Sequence, residues 1–177
     1  KAENAKAENT KAETEAAKDG AASGEKHLIG VAMPTKDLQR WNQDGSNMKA
    51  ELEAAGYEVD LQYASNDVQT QVSQVENMIS NGCELLVIAS IDGSSLGEPL
   101  GQAKEAGIPV ISYDRLLMNS DAVTYYATFD NYMVGQKQGE YLVKALGLEG
   151  NDGPFNIEMF TGDPADNNCN FFFGGAM

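Results

Sequence analysis

The residues of this chain best equipped for chemistry are planar hydrogen-bonding groups, not nucleophiles or metal ligands. They fall in three short stretches: Lys36, Gln39, Arg40 and Trp41 in "PTKDLQRW", Asp114 and Arg115 at the end of "PVISYDR", and Asp166, Asn167 and Asn168 in "TGDPADNN". Guanidinium, carboxylate and amide groups present donors and acceptors in fixed geometry. A ring carrying several hydroxyls, each both donor and acceptor, matches that set. Its C–H face would pack on an aromatic ring such as Trp41. The chemistry implied is therefore the binding of a sugar-like molecule. Asp114 next to Arg115 suits a carboxylate held ionised as an acceptor better than one poised as a base.

Other chemistries lack their residues. There is no G-x-x-x-x-G-K-[ST], no G-x-G-x-x-G after the first apolar run and no G-x-S-x-G, so neither a phosphate loop, a dinucleotide cofactor nor a hydrolase elbow is expected. Cys83 and Cys169 are far apart, and no cluster of His, Cys and carboxylates has metal-ligand spacing. His27 is the single histidine and has no catalytic partner nearby in sequence. No cofactor and no metal are expected.

Each stretch also has a plainer reading. Trp41 could be a core residue of the first helix. Asp114 and Arg115 could form a surface ion pair worth little. Asp166 to Asn168 could simply cap a following helix, because Asp and Asn favour N-caps.

What must position these residues is a regular alternation of elements. "HLIGVAM" (27–33), "YEVDLQYA" (57–64), "ELLVIAS" (84–90), "IPVISY" (108–113), "VTYYATF" (123–129) and "PFNIEMF" (154–160) read as strands. Residues 41–56, 66–82, 95–107 and 132–147 read as helices, with Val68, Val72, Val75, Met78 and Ile79 at helical spacing and Gly56 and Gly82 as stops. Strand and helix in alternation predict βαβ units, hence an α/β fold with a doubly wound parallel sheet. In such sheets ligands bind outside the carboxyl ends of the strands. The three candidate stretches all follow strands, which is why a buried strand should run straight into Asp114 and Arg115.

Residues 1–26 stand apart. "KAEN", "KAEN" and "KAET" recur every five residues, a period that holds no face of a 3.6-residue helix, so the stretch reads as a solvated, semi-rigid spacer ended by "DGAASG" or, equally, as a disordered tail with no role. The chain has 177 residues, 42% of them hydrophobic, enough for one ordinary core. Its formal charge of −15 argues against a nucleic-acid partner, because phosphate backbones need a basic face. No apolar run is long enough to span a bilayer. The chain starts at Lys1 without a Met, which reads as a processed or trimmed product.

"AMPTKDLQRW", "QVSQVENMISNGCELLVIASIDGSSL", "AGIPVISYDRLL", "YYATFDNYMVGQKQG" and "GDPADNN" together resemble the periplasmic sugar-binding proteins of ABC transporters, most nearly the D-xylose-binding and multiple-monosaccharide-binding group. The resemblance covers residues 27–177. It implies two similar α/β lobes of the type I periplasmic-binding-protein fold, with a monosaccharide held between them and delivered to a membrane permease. Residues 27–130 would form the N-terminal lobe and 131–177 the start of a second, incomplete lobe. Phe129, Asp130 and Asn131 would fall where the chain first crosses between lobes. By the same resemblance Arg40, Trp41, Asp114, Arg115 and Asn168 would contact the sugar, with Lys36 and Gln39 less securely placed. An extracytoplasmic location follows, in some bacteria as a lipoprotein. The family chain continues well beyond the equivalent of Met177, so this chain reads as a fragment. "CNFFFGGAM" would then expose three phenylalanines and favour self-association. A sugar-sensing transcription regulator of the same fold is the alternative, and it would need a DNA-binding element that residues 1–26 do not offer.

Overall fold

In the computed structural model, which describes residues 27–177, the strands are β1 (Leu28–Met33), β2 (Glu58–Tyr63), β3 (Leu85–Ile88), β4 (Val110–Tyr113) and β5 (Val123–Ala127). The helices are α1 (Gln39–Ala54), α2 (Val68–Ser80), α3 (Gly97–Glu105), α4 (Asn131–Ala145) and α5 (Asn168–Ala176). The expected spacer at 1–26 lies outside the described residues. The strands form one sheet in the order β2-β1-β3-β4-β5, and every neighbouring pair is parallel. The α/β, parallel-sheet expectation therefore holds, and all five carboxyl ends lie on one rim.

Two cores show how the sheet is wound. Ile29, Val31 and Met33 alternate along β1 and pack with Trp41, Val87 and Ala89, with Met48 and Leu52 of α1 against them. Ala32 points to the other face, where Val75 and Met78 of α2 meet Leu86, Ile88, Leu96, Leu100 and Ala103. This is the period-two rule applied to a strand buried on both sides. An added Cβ at Gly30 would stand 2.9 Å from both Leu86 Cδ2 and Met78 Sδ, so the glycine lets α2 lie close on the sheet. α2 starts where the Asp67 carboxylate accepts the Thr70 N–H at 2.7 Å. The connection 114–122 returns to β5 without a helix, and its Leu117 and Ala122 join the α2–α3 core.

Beyond β5 the chain changes character. α4 begins with the Asp130 carboxylate accepting the Met133 N–H at 2.9 Å. α4 and α5 then pack backbone to backbone. A Cβ on Gly135 would overlap the Phe172 carbonyl, and one on Gly139 would stand 2.6 Å from that of Ala176. The strand expected at 154–160 is absent: these residues form no strand, all are exposed, and Phe160 is 92% exposed. The physical reason is that no described strand lies beside them, and an unpaired strand leaves its amides and carbonyls without partners. Phe171 and Phe173 are exposed as anticipated, while Phe172 turns partly inward onto α4.

Candidate functional site

Asp114 is where β4 leaves the sheet, and its backbone is unusual. Its φ is +61°, and the Arg115 N–H donates back to the Tyr113 carbonyl at 2.7 Å. That is a γ-turn of the positive-φ form, rarer and more strained than its inverse. Such strain costs about 1–3 kcal/mol and persists only where the surroundings over-determine it. Here they do. The Asp114 N–H donates to the Ala127 carbonyl at 2.8 Å. The Asp114 carbonyl accepts from Tyr126 Oη and Thr128 Oγ1, each at 3.1 Å, and from Asn168 Nδ2 at 3.3 Å.

The turn aims a carboxylate that is only 4% exposed. A buried charge needs partners, and it has them. Asp114 Oδ2 accepts from Arg40 Nη2 at 2.5 Å, and Oδ1 from Asn168 Nδ2 at 3.4 Å. Arg40 Nε also lies 3.4 Å from Asp44 Oδ2, one helical turn on. Burial pulls the Arg40 guanidinium down, but the hydrogen bond and charge of Asp114, with Asp44 and Tyr113, more than offset it and hold it above its ordinary value. Asp44 also accepts from Tyr113 Oη at 3.2 Å. Burial, and then Asp44, push the Tyr113 phenol up, so it stays a donor. The Tyr126 phenol is raised as well, by burial first.

Arg115 is held from two sides. Its Nη1 donates to the Ser90 carbonyl at 3.0 Å. Its Nε lies 3.0 Å from Asp166 Oδ2 but off the line of its own N–H, so this contact is an ion pair and not a hydrogen bond. Its backbone carbonyl accepts from Ser112 Oγ at 2.7 Å. The surface ion-pair reading of Asp114–Arg115 therefore fails: the two pair with other residues, and Asp114 is buried.

Trp41 sits in the first turn of α1, which starts at Gln39, earlier than the expected 41. The ring is 4% exposed and belongs to the α1-side core. The guanidinium carbons of Arg40 and Arg115 stand 4.6 Å and 5.2 Å from its centroid. Trp41 is thus a core residue whose ring also meets both cations of the site, a cation–π arrangement.

Asn168, the first residue of α5, is buried and bridges Asp114 to Asn131, whose Nδ2 donates to Asn168 Oδ1 at 3.2 Å and to Thr128 Oγ1 at 3.3 Å. Asp166 Oδ1 accepts the Asn168 N–H at 3.0 Å, an Asx-turn leading into α5, while Asn167 at the N-cap makes no side-chain capping bond. Lys36 and Gln39 stand apart from the cluster. Both are exposed, and Lys36 Nζ lies over the Tyr63 ring, 5.4 Å from its centroid.

Sequence reasoning missed Asp44, Ser90, Ser112, Tyr113, Tyr126, Thr128 and Asn131. Asp44 carried a signal, its i,i+4 spacing from Arg40. Tyr126 and Thr128 share a strand face by period two, but only the β4–β5 register brings them to Asp114. Among the described residues no group of three or more His, Cys, Asp or Glu is placed to hold a metal, and no helix is long and apolar enough to cross a membrane. Burial, then Asp60, pushes the Cys83 thiol up to about 11, which suits a packing role. Chemically, the rim offers one fixed carboxylate, two guanidiniums and an amide pair around a shared seam. Such a set has the donors and acceptors that a polar, polyhydroxylated ligand requires.

Comparison with known proteins agrees. The chain is 54% identical over 157 residues to the multiple sugar-binding periplasmic receptor ChvE of Rhizobium radiobacter, covering 89% of this chain and 44% of that protein. It is 53% identical over 153 residues to the multiple sugar-binding periplasmic protein SbpA of Azospirillum brasilense, covering 86% and 43%. The crystal structure of an ABC transporter solute binding protein from Clostridium phytofermentans with bound β-D-glucose superposes with a TM-score of 0.83 at 77% identity, over 85% of this chain and 46% of that one. The chain spans somewhat under half the length of these relatives. Residues 29–177 match the model of the periplasmic binding protein domain, and with the five-stranded parallel sheet and its rim already in place, the chain belongs to that family.

Proposed function

We propose that this chain forms one side of a monosaccharide cleft in an extracytoplasmic solute-binding protein that delivers its sugar to an ABC transporter permease. The observation that carries the reading is the buried Asp114 carboxylate, held in a strained γ-turn between Arg40 and Asn168 at the carboxyl rim of the sheet. Arg40, Asp114, Arg115 and Asn168 are the proposed sugar contacts. Trp41 backs the two guanidiniums, and Lys36 and Gln39, exposed and apart from the cluster, are proposed as outer contacts only. Residues 27–130 would be the first lobe and 131–177 the beginning of the second, with the seam between them at Asp114–Asn168. The sugar is a hexose or pentose of the glucose, xylose or galactose type. No reaction is performed. Affinity arises because each hydroxyl stripped of water regains a partner, and closure of the two lobes follows the logic of a two-state equilibrium.

Several features support this reading. The relatives named above are sugar-binding or solute-binding proteins, and the one with bound β-D-glucose is 77% identical over the shared region. The regulator reading shares the fold, but no observation favours it. A lipid-anchored form at the cell surface and self-association through the exposed side chains Tyr141, Phe160 and Phe173 belong to the same proposal.

Trp41 is the only tryptophan among these 177 residues, and it touches both guanidiniums of the site, so its fluorescence reports on that site. In the full-length protein, titrating D-glucose, D-xylose, D-galactose and an unrelated polyol should give a saturable change for at least one sugar and none for the polyol, with a weak or absent change in this chain, which supplies one side of the cleft. Asp114→Ala should lose most of that affinity while far-UV circular dichroism stays unchanged. An Asp114→Ala protein that binds as well as the parent removes Asp114 from the site. Silence with all three sugars returns the function to an open question.

A further inference from the structure

Gln71 is a polar residue on an apolar stripe. It precedes Val75 and Met78 by four and seven positions on the sheet-facing side of α2, and it is 1% exposed. Its amide is used at both ends. Nε2 donates to the Ala89 carbonyl at 3.0 Å, and Oε1 accepts the Ile91 N–H at 2.8 Å. Those two backbone groups flank Ser90, itself buried, whose carbonyl accepts from Arg115 Nη1 at 3.0 Å. β3 ends at Ile88, so this stretch lies past the strand.

We propose that Gln71 is a positioning residue for Arg115: its side-chain amide clamps the backbone on either side of Ser90, and the Ser90 carbonyl so fixed aims the guanidinium at the cleft. The inference rests on the sugar-site reading above. The requirement for an amide is chemical. A leucine at 71 fills the volume but leaves the Ala89 carbonyl and the Ile91 N–H without a partner. An ionised glutamate still accepts from Ile91 but sets an oxygen against the Ala89 carbonyl. A protonated glutamate restores both bonds. Arg115 has its other polar side-chain partner, Asp166, on the far side of the seam. The Ser90 carbonyl is thus the tie that keeps its aim when the two sides separate.

The test uses the full-length protein with Gln71→Leu and Gln71→Glu, D-glucose as the probe, and two readouts. One is the affinity by calorimetry. The other is the ¹⁵N-edited spectrum of the Arg115 guanidinium, assigned by its loss in Arg115→Lys. Gln71→Leu should weaken D-glucose binding about tenfold, the effect of one net hydrogen bond to a binding group, and should shift and broaden the Arg115 Nε–Hε signal. In an Arg115→Ala background the same substitution should cost no further affinity, because no guanidinium remains to be aimed. Gln71→Glu should bind weakly at neutral pH and recover as pH falls and its carboxyl protonates. Its recovery keeps the test decisive even if the leucine variant fails to fold. An unchanged guanidinium signal, or a loss that adds in full to that of Arg115→Ala, overturns the proposal. A parent that ignores D-glucose, D-xylose and D-galactose alike sinks the sugar reading instead, and the guanidinium spectrum then decides the clamp alone.

Discussion

The sheet region up to β5 and the helical region after it solve burial differently. The first sandwiches β1 and β3 between two side-chain cores, so nearly every apolar residue of those strands is covered. The second brings α4 and α5 together through glycines, backbone on backbone, and leaves Tyr141, Leu146 and Phe160 exposed. Side-chain interdigitation gains stability from apolar area and dispersion. Glycine contacts gain proximity with little apolar area. The candidate site lies on the seam: Arg40, Asp114 and Arg115 come from the well-packed side, Asn131, Asp166 and Asn168 from the other. The two sides of the seam thus meet through polar contacts, where the sheet region is held by buried apolar side chains.

That contrast can be broken. The largest effect should come from Leu86→Ala, which empties a fully buried position between β1 and α2 and should cost about 3 kcal/mol in urea unfolding. If hydrogen exchange in α4 and α5 rises as much as in β1, the two regions are one cooperative unit and the contrast is wrong. Next is Asp114→Asn, which keeps a residue tolerant of positive φ but removes the charge that Arg40 faces. D-glucose affinity should fall about tenfold to a hundredfold, with less structural cost than Asp114→Ala.

Gly135→Ala should come third. Its new Cβ collides with the Phe172 carbonyl, so α5 should pull away. Exchange of amides in 168–176 should rise while those of β1 and β3 stay put. The smallest effect is at the edge of the first region. Hydrogen bonds from Thr70 hold the Asp67 carboxyl below its ordinary value. A carboxyl lowered by folding contributes stability that is present above the unfolded value and is lost as pH falls through the folded one. The small melting-temperature difference between the parent and Asp67→Ala should therefore be full at pH 7 and vanish in acid.

How far the chain could be read varied by element. The helix over Val68–Ser80 was legible because Val72, Val75 and Met78 repeat at helical spacing between a capping Asp67 and Gly82. Strands β1 and β3 were legible as apolar runs. The strand at 154–160 was misread because its composition suits a strand, while strand formation depends on a neighbour that composition does not report. In the site, Asp114 and Arg115 stood out as charges ending a buried run. Their partners did not, because Arg40, Asp44, Tyr126, Asn131 and Asn168 are scattered along the chain.

The order of elements up to α4, the parallel sheet and the rim that carries the polar residues were determined by sequence alone. They follow from hydrophobic periodicity and from the handedness of βαβ connections, both local in origin. Tertiary structure decided three things. It turned Trp41 into the core beneath two guanidiniums, it bent Asp114 into a left-handed turn pinned by Tyr126, Thr128 and Asn168, and it put the Gln71 amide behind Ser90. Each depends on strand register and on how helices seat on the sheet. Those contacts join residues far apart in the chain, and no local pattern encodes the partner.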